Sequence, residues 1–138
     1  TSVSQNRKKW ERELAADNTR REAQAVQDAA ETLHENFVKR AFQTDSICQL
    51  ATASPHPVLV CGDFNSLPSS YTYHRFSESL KDGFKTGGHG YMYTYRYGKR
   101  MLRIDYAFHS PELECTDYYS PNLDLCSDHN PVIFTVKY

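Results

Sequence analysis

A chain of 138 residues is enough for one domain with a modest core. Its 39% apolar and 24% charged content, with ten tyrosines and seven phenylalanines beside Trp10, excludes a disordered polymer. A net charge of −1 excludes a global positive field of the kind that draws nucleic acid, and no apolar run approaches the ~20 residues of a membrane span.

Residues 1–18 are polar and fix no strand, so they read as a polar N-terminal segment ahead of a domain over residues 19–138. The chain opens on Thr1 rather than Met, as a processed or excised piece of something longer would. From Thr19 the pattern changes: Ala23, Val26, Ala30, Leu33, Phe37 and Ala41 recur every three or four residues. That spacing predicts one long helix with one buried stripe, ending near Phe42, with Thr19 and Glu22 as its capping box. Residues 44–56 read as a loop, and Val58–Cys61 as a buried strand inside a sheet covered on both sides. A serine cap and Pro68 then predict a helix over Tyr71–Leu80.

Gly87-Gly88-His89-Gly90 reads as a flexible loop, and residues 91–97 and 102–108, turned at Gly98-Lys99, as a β-hairpin. In that hairpin Tyr91, Tyr93, Tyr95 and Tyr97 alternate between core and surface, or stack on bases or sugars. Glu114–Tyr119 and Val132–Lys137 complete the strands of one α/β domain with no internal repeat. Cys48, Cys61, Cys115 and Cys126 show no CxxC pair and read as free thiols, which leaves the compartment open.

Three polar stations stand at strand ends: Asp63 with Asn65, Asp105 within an apolar run, and Asp128-His129 before the last strand. Half-buried carboxylates are costly unless paired, hydrogen-bonded or metal-bound, so three such stations ask for a common partner. Phosphate-ester hydrolysis would use them all. Asp63 would hold and deprotonate a water, and Asn65 would orient it and donate to a phosphoryl oxygen. His129, as imidazolium braced by Asp105, would stabilise the phosphorane, and Asp128 offers the hard oxygens Mg²⁺ prefers. Taken singly, each station also reads blandly, as a turn, a loop closing on a strand, or an ion-pair partner of Arg103 or Arg100.

Together, Val58–Ser66, Arg103–Phe108 and Ser127–Val132 resemble the three C-terminal motifs of the endonuclease/exonuclease/phosphatase family. The resemblance runs from about Arg20 to Tyr138. It implies the C-terminal half of a four-layer α/β/β/α sandwich of DNase I type, a mixed sheet with flanking helices. It also implies Mg²⁺- or Mn²⁺-dependent cleavage of a phosphate ester of unknown class. Carried onto matching positions, Asp63, Asn65, Asp105 and His129 are the catalytic set, and Asp63, Asn65, Asp128 and His129 the metal set. The family's N-terminal asparagine, metal-binding glutamate and aromatic or histidine phosphate contact have no counterpart in residues 1–18.

Half a sandwich would expose an inner sheet face and a strand edge, so association with the missing half or with a second copy is expected. The rival to an enzyme is a truncated or non-catalytic fragment that binds a partner or phosphate ligand without turnover. Lys85, Lys99, Arg100 and Arg103 would meet phosphates or form a solvated basic turn, while His74, His89 and His109 have no evident partner.

Overall fold

The computed structural model describes residues 2–97, 99, 101–123 and 126–138, with side chains from residue 5 onward. The chain divides into two compact units, residues 1–39 and Arg40–Tyr138.

The described part of the first unit is one helix. It belongs to α1, Ser2–Ala53, and so begins well before Thr19 and ends well after Phe42. No glycine or proline interrupts the sequence before Pro55, and that proline accounts for the stop. The polar residues of the first turns are tied along the helix rather than left as coil. Arg7 meets Glu11 at 3.2 Å and Arg21 meets Asp17 at 2.9 Å, pairs worth about 0.2–0.5 kcal/mol each on a helix surface. Thr19 caps nothing; its hydroxyl donates to the Ala15 carbonyl at 2.9 Å within the helix. Trp10, Leu14, Val26, Leu33 and Phe37 are all exposed.

In the second unit, residues predicted to be a loop continue α1. Thr44 and Cys48 are buried on its inner face, and Ala51 packs beside Cys48. The Asp45 carboxylate accepts from the Tyr71 hydroxyl at 2.8 Å and the Arg75 guanidinium at 2.9 Å, joining α1 to α2, Tyr71–Ser77. The predicted serine cap is present: the Ser70 hydroxyl accepts from the Tyr73 N–H.

A three-stranded antiparallel sheet has the order β1-β3-β2, from β1 (Leu59–Asp63), β2 (Lys81–Asp82) and β3 (Asp105–His109). A second sheet pairs β4 (Glu114–Tyr119) with β5 (Ile133–Lys137). The short helix α3, Gly83–Gly87, precedes the site connector. Among the described residues β1 is an edge strand, with Leu59 45% exposed, not a strand covered on both sides. The covered strand is β3. Tyr106 and Phe108 enter one core with Cys48, Tyr73, Phe76 and Leu80, while Ala107 enters a second with Met92, Cys115 and Tyr118.

The predicted hairpin reduces to an isolated bridge between Tyr95 and Leu102, because β3 pairs with β1 and β2 instead. Part of its turn, Gly98, lies outside the described residues, as does Arg100. Burial alternates along the tyrosine row: Met92 and Thr94 are buried, whereas Tyr91 and Tyr97 are exposed. Gly87 belongs to tight packing rather than a flexible loop, since a Cβ there would sit 2.7 Å from the Cys115 carbonyl oxygen. The cysteines are free thiols.

Arg103 does not serve a basic surface. It is buried, its guanidinium 2.9 Å from the Asp82 carboxylate and 4.7 Å and 4.8 Å from the Tyr106 and Phe84 rings. Asp82 also accepts from the Tyr73 hydroxyl at 2.7 Å and the Phe84 N–H at 3.0 Å, so this interior charge is fully hydrogen-bonded. Burial weakens the Arg103 charge, but Asp82 outweighs it and the guanidinium is held more firmly protonated. His109 also has partners after all: the Thr86 hydroxyl at 3.0 Å and the Ser110 carbonyl at 2.9 Å.

Candidate active site

Phe64 decides how Asp63 and Asn65 are presented. Its ring meets Phe76, Tyr106 and Phe108 edge-on at 5.1, 5.5 and 5.7 Å, and its N–H donates to the Ile104 carbonyl at 2.9 Å. With the middle residue anchored in the core, its neighbours on both sides are exposed. Asn65 takes a left-handed φ of 44°, which asparagine tolerates well. Its N–H donates to Asp63 Oδ1 at 2.8 Å and its amide to Oδ2 at 3.2 Å. Carboxylate and carboxamide therefore form one unit.

Asp105 arrives from the neighbouring strand, in direct register with Asp63. Two like charges opposite each other across a strand pair are unfavourable. The imidazole of His129 meets both. Its Nδ1 is 2.8 Å from Asp105 Oδ2 and its Nε2 is 3.9 Å from Asp63 Oδ2. The His129 segment is held by backbone bonds: its N–H donates to the Ser127 hydroxyl at 3.0 Å, and Arg96 N–H donates to the Asp128 carbonyl at 2.8 Å. The Tyr95 ring packs at 5.3 Å from the imidazole.

Desolvation pushes the His129 pKa down, but the hydrogen bond to Asp105 and its charge, joined by Asp63 and Asp128, outweigh it, and the net shift is upward. The three side chains line a cavity of about 410 Å³, whose further wall includes Ala107, Val132 and Phe134. Neither polar atom of the Asn130 side chain, 3% exposed beside His129, has a partner among the described residues.

Asp63, Asp105 and His129 offer ligand atoms within 4.8 Å of one another. Asp128 is exposed and outside that cluster. Asp63, exposed at the end of β1, is the carboxylate of this cluster most open to a cation, with the Asn65 carboxamide beside it. That hard-oxygen set fits an ion such as Mg²⁺, which keeps several of its waters and takes one or two carboxylates.

Of the sequence-predicted residues, the structure brings Asp63, Asn65, Asp105 and His129 together and leaves Asp128 at the rim. The supporting residues Thr94, Tyr95 and Arg96 escaped the sequence, hidden in a row whose tyrosines drew the notice.

The sequence matches the Endonuclease/Exonuclease/phosphatase family over residues 16–129. No curated protein sequence matches the chain. Among solved structures, an endonuclease/exonuclease/phosphatase from Bacteroides vulgatus is similar at 26% identity and a TM-score of 0.62, over 71% of this chain and 43% of that one. A mannosyl-6-phosphatase from Bacteroides thetaiotaomicron is similar at 24% identity and a TM-score of 0.52, over 71% and 44%. The human Nocturnin catalytic domain with bound sulfate anion is similar at 26% and 0.51, over 70% and 41%. The chain thus spans less than half the length of these relatives, and its fold is a partial domain of DNase I type. It belongs to the endonuclease/exonuclease/phosphatase family.

Proposed function

We propose that this chain carries the C-terminal part, residues 19–138, of a divalent-metal-dependent phosphoester hydrolase. The observation that carries the proposal is the His129 imidazole, engaged by Asp105 on Nδ1 at 2.8 Å with Nε2 turned to Asp63. An imidazole so braced is held in one orientation and favoured in its charged form. Asp63 accepts the proton of the attacking water, and the Asn65 amide orients the phosphate. His129, as imidazolium, donates toward the oxygens where negative charge develops. A protonated imidazole cannot also ligate a metal, which moves His129 out of the metal set while it plays this part.

Asp63 and Asn65, with Asp128 at the rim, would hold Mg²⁺ or Mn²⁺, whose charge when bound neutralises phosphoryl oxygens. The chain offers few of the oxygens such an ion needs, so tight metal binding and full activity require the rest of the family fold; a second copy would cover exposed apolar surface without adding those ligands. The substrate is a phosphate ester, with lipid phosphate, phosphoinositide, sugar phosphate and nucleic acid as its candidate classes.

The test is Mg²⁺-dependent hydrolysis of bis-p-nitrophenyl phosphate by the full-length protein and by this chain. The expected result is turnover by the full-length protein, weak or none by the chain, and loss in His129→Ala. Absence of turnover by the full-length protein, or an unchanged rate in His129→Ala, favours the second reading. That reading is a fragment that binds a partner or a phosphate ligand without turnover, and the exposed edge strand β1 gives it support.

A further inference from the structure

The Asp105–His129 contact joins segments 24 residues apart, yet β3 pairs only with β1 and β2 among the described residues. Something else must hold the two segments at hydrogen-bonding distance. Thr94 lies between them, fully buried at 0% exposure. Its hydroxyl oxygen accepts from the N–H of Ile104 at 3.0 Å and of Asp105 at 3.1 Å. Its carbonyl accepts from the Asn130 N–H at 2.7 Å, and its own N–H donates to the Leu102 carbonyl at 2.9 Å. One residue therefore grips the backbone of Asp105 with its side chain and the backbone next to His129 with its main chain. The following residue extends the grip, since Tyr95 forms an isolated bridge with His129.

We propose that Thr94 is the positioning residue of the Asp105–His129 pair, a role that rests on that pair being the reacting one. The hydroxyl oxygen has two lone pairs and takes both amides where a regular ladder would supply a carbonyl. It sets where Asp105 enters β3, while the Thr94 carbonyl sets where the imidazole arrives. Neither a methyl group nor a main-chain bond alone does both.

Two variants separate this role from plain packing. Thr94→Val keeps the shape and removes the hydroxyl; Thr94→Ser keeps the hydroxyl and removes the methyl. In the metal-free protein, NMR reads the hydrogen-bonded Nδ1 proton of His129 and the amide exchange of Ile104 and Asp105. In Thr94→Val the His129 resonance is expected to vanish and both amides to exchange about 10-fold faster relative to Phe108. In the full-length enzyme kcat falls about 10-fold with KM little changed. Thr94→Ser restores all three.

Equal damage in both variants, or a Thr94→Val protein with the wild-type His129 resonance, overturns the proposal. If Thr94→Val does not fold, Thr94→Ser decides alone: the wild-type resonance upholds the role and its loss ends it. A wild-type protein without turnover sinks the hydrolase assignment, while the NMR measurements still settle what Thr94 does.

Discussion

Asp63 and Asp105 are register partners across β1 and β3, and the His129 imidazole reaches both, at 3.9 Å and 2.8 Å. The arrangement couples strand pairing to charge. Two carboxylates that would repel across the ladder share the imidazole, and its charged form is favoured more than in a free histidine.

The His129 pKa is raised, so the sign of its linkage follows directly. Stability from its protonation is fully present below the unfolded value of about 6.5 and is lost as pH rises through the higher folded value. In Asp105→Asn the Asp105 charge is removed, leaving Asp63 and Asp128 alone to offset desolvation. The His129 titration followed by NMR is expected to move to lower pH, and the loss of melting temperature as pH rises from about 6.5 to be smaller. A titration that stays put would mean Asp105 does not set the histidine's charge.

His129→Ala and Asp63→Asn each remove a group proposed to act in the transition state. General acid–base and electrostatic groups of this kind contribute roughly 10²–10⁴-fold, so kcat of the full-length protein is expected to fall by that order. Chelation by EDTA is expected to remove the activity and added Mg²⁺ to return it, as initial rates would read. Asp128→Ala, at the rim, is expected to raise the Mg²⁺ concentration needed rather than abolish turnover, which a metal titration of initial rates measures.

Arg103 and Asp82 form a buried pair at 2.9 Å, with side chains 9% and 1% exposed. Removing one member strands the other charge in the interior. Asp82→Ala is therefore expected to cost about 3–5 kcal/mol in urea unfolding, and the Arg103→Met, Asp82→Leu double substitution much less. A double variant as unstable as the single one would show that packing, not charge, dominates there.

Phe64 is the mechanical link between core and site. Phe64→Ala removes the ring that meets Phe76, Tyr106 and Phe108, at an expected cost of about 3–5 kcal/mol. Phe64→Leu keeps most of the burial and is expected to lose activity more than stability, because the turn from Asp63 to Asn65 loses its anchor. Urea midpoints beside hydrolysis rates separate the two effects.

β1 exposes its edge and Leu59, and β5 exposes Ile133 at 41%. The 138-residue chain is expected to associate with itself as concentration rises in sedimentation or light scattering. Leu59→Lys, a charge on an edge strand, is expected to shift it toward monomer. A monodisperse, cooperatively melting monomer of the unaltered chain would remove the case for a missing partner.

The residues proposed to carry the chemistry are legible in the sequence because their types and spacing are unusual. Asp63-Phe64-Asn65 after an apolar run, an acid inside the run before Phe108, and Asp128-His129 before the last strand each stand against their surroundings. Local rules also placed the Ser70 cap and the strand Glu114–Tyr119, since a cap and an alternating run depend on neighbours in sequence. The helix extends past its apolar repeat at both ends, because its polar start and its 44–53 tail carry little apolar periodicity. What holds the start is i,i+4 charge pairing, and what holds the tail is contact with Tyr71 and Arg75 on α2.

Only the tertiary structure could decide which strand is covered, that Arg103 turns inward to Asp82, and that Thr94 bridges the segments of Asp105 and His129. Each depends on partners far away in the chain, and a single residue's polarity does not say whether it will meet water, a charge or a backbone amide. The sequence by itself determined the set of candidate groups. Folding determined which of them touch, because burial and hydrogen bonding are properties of pairs.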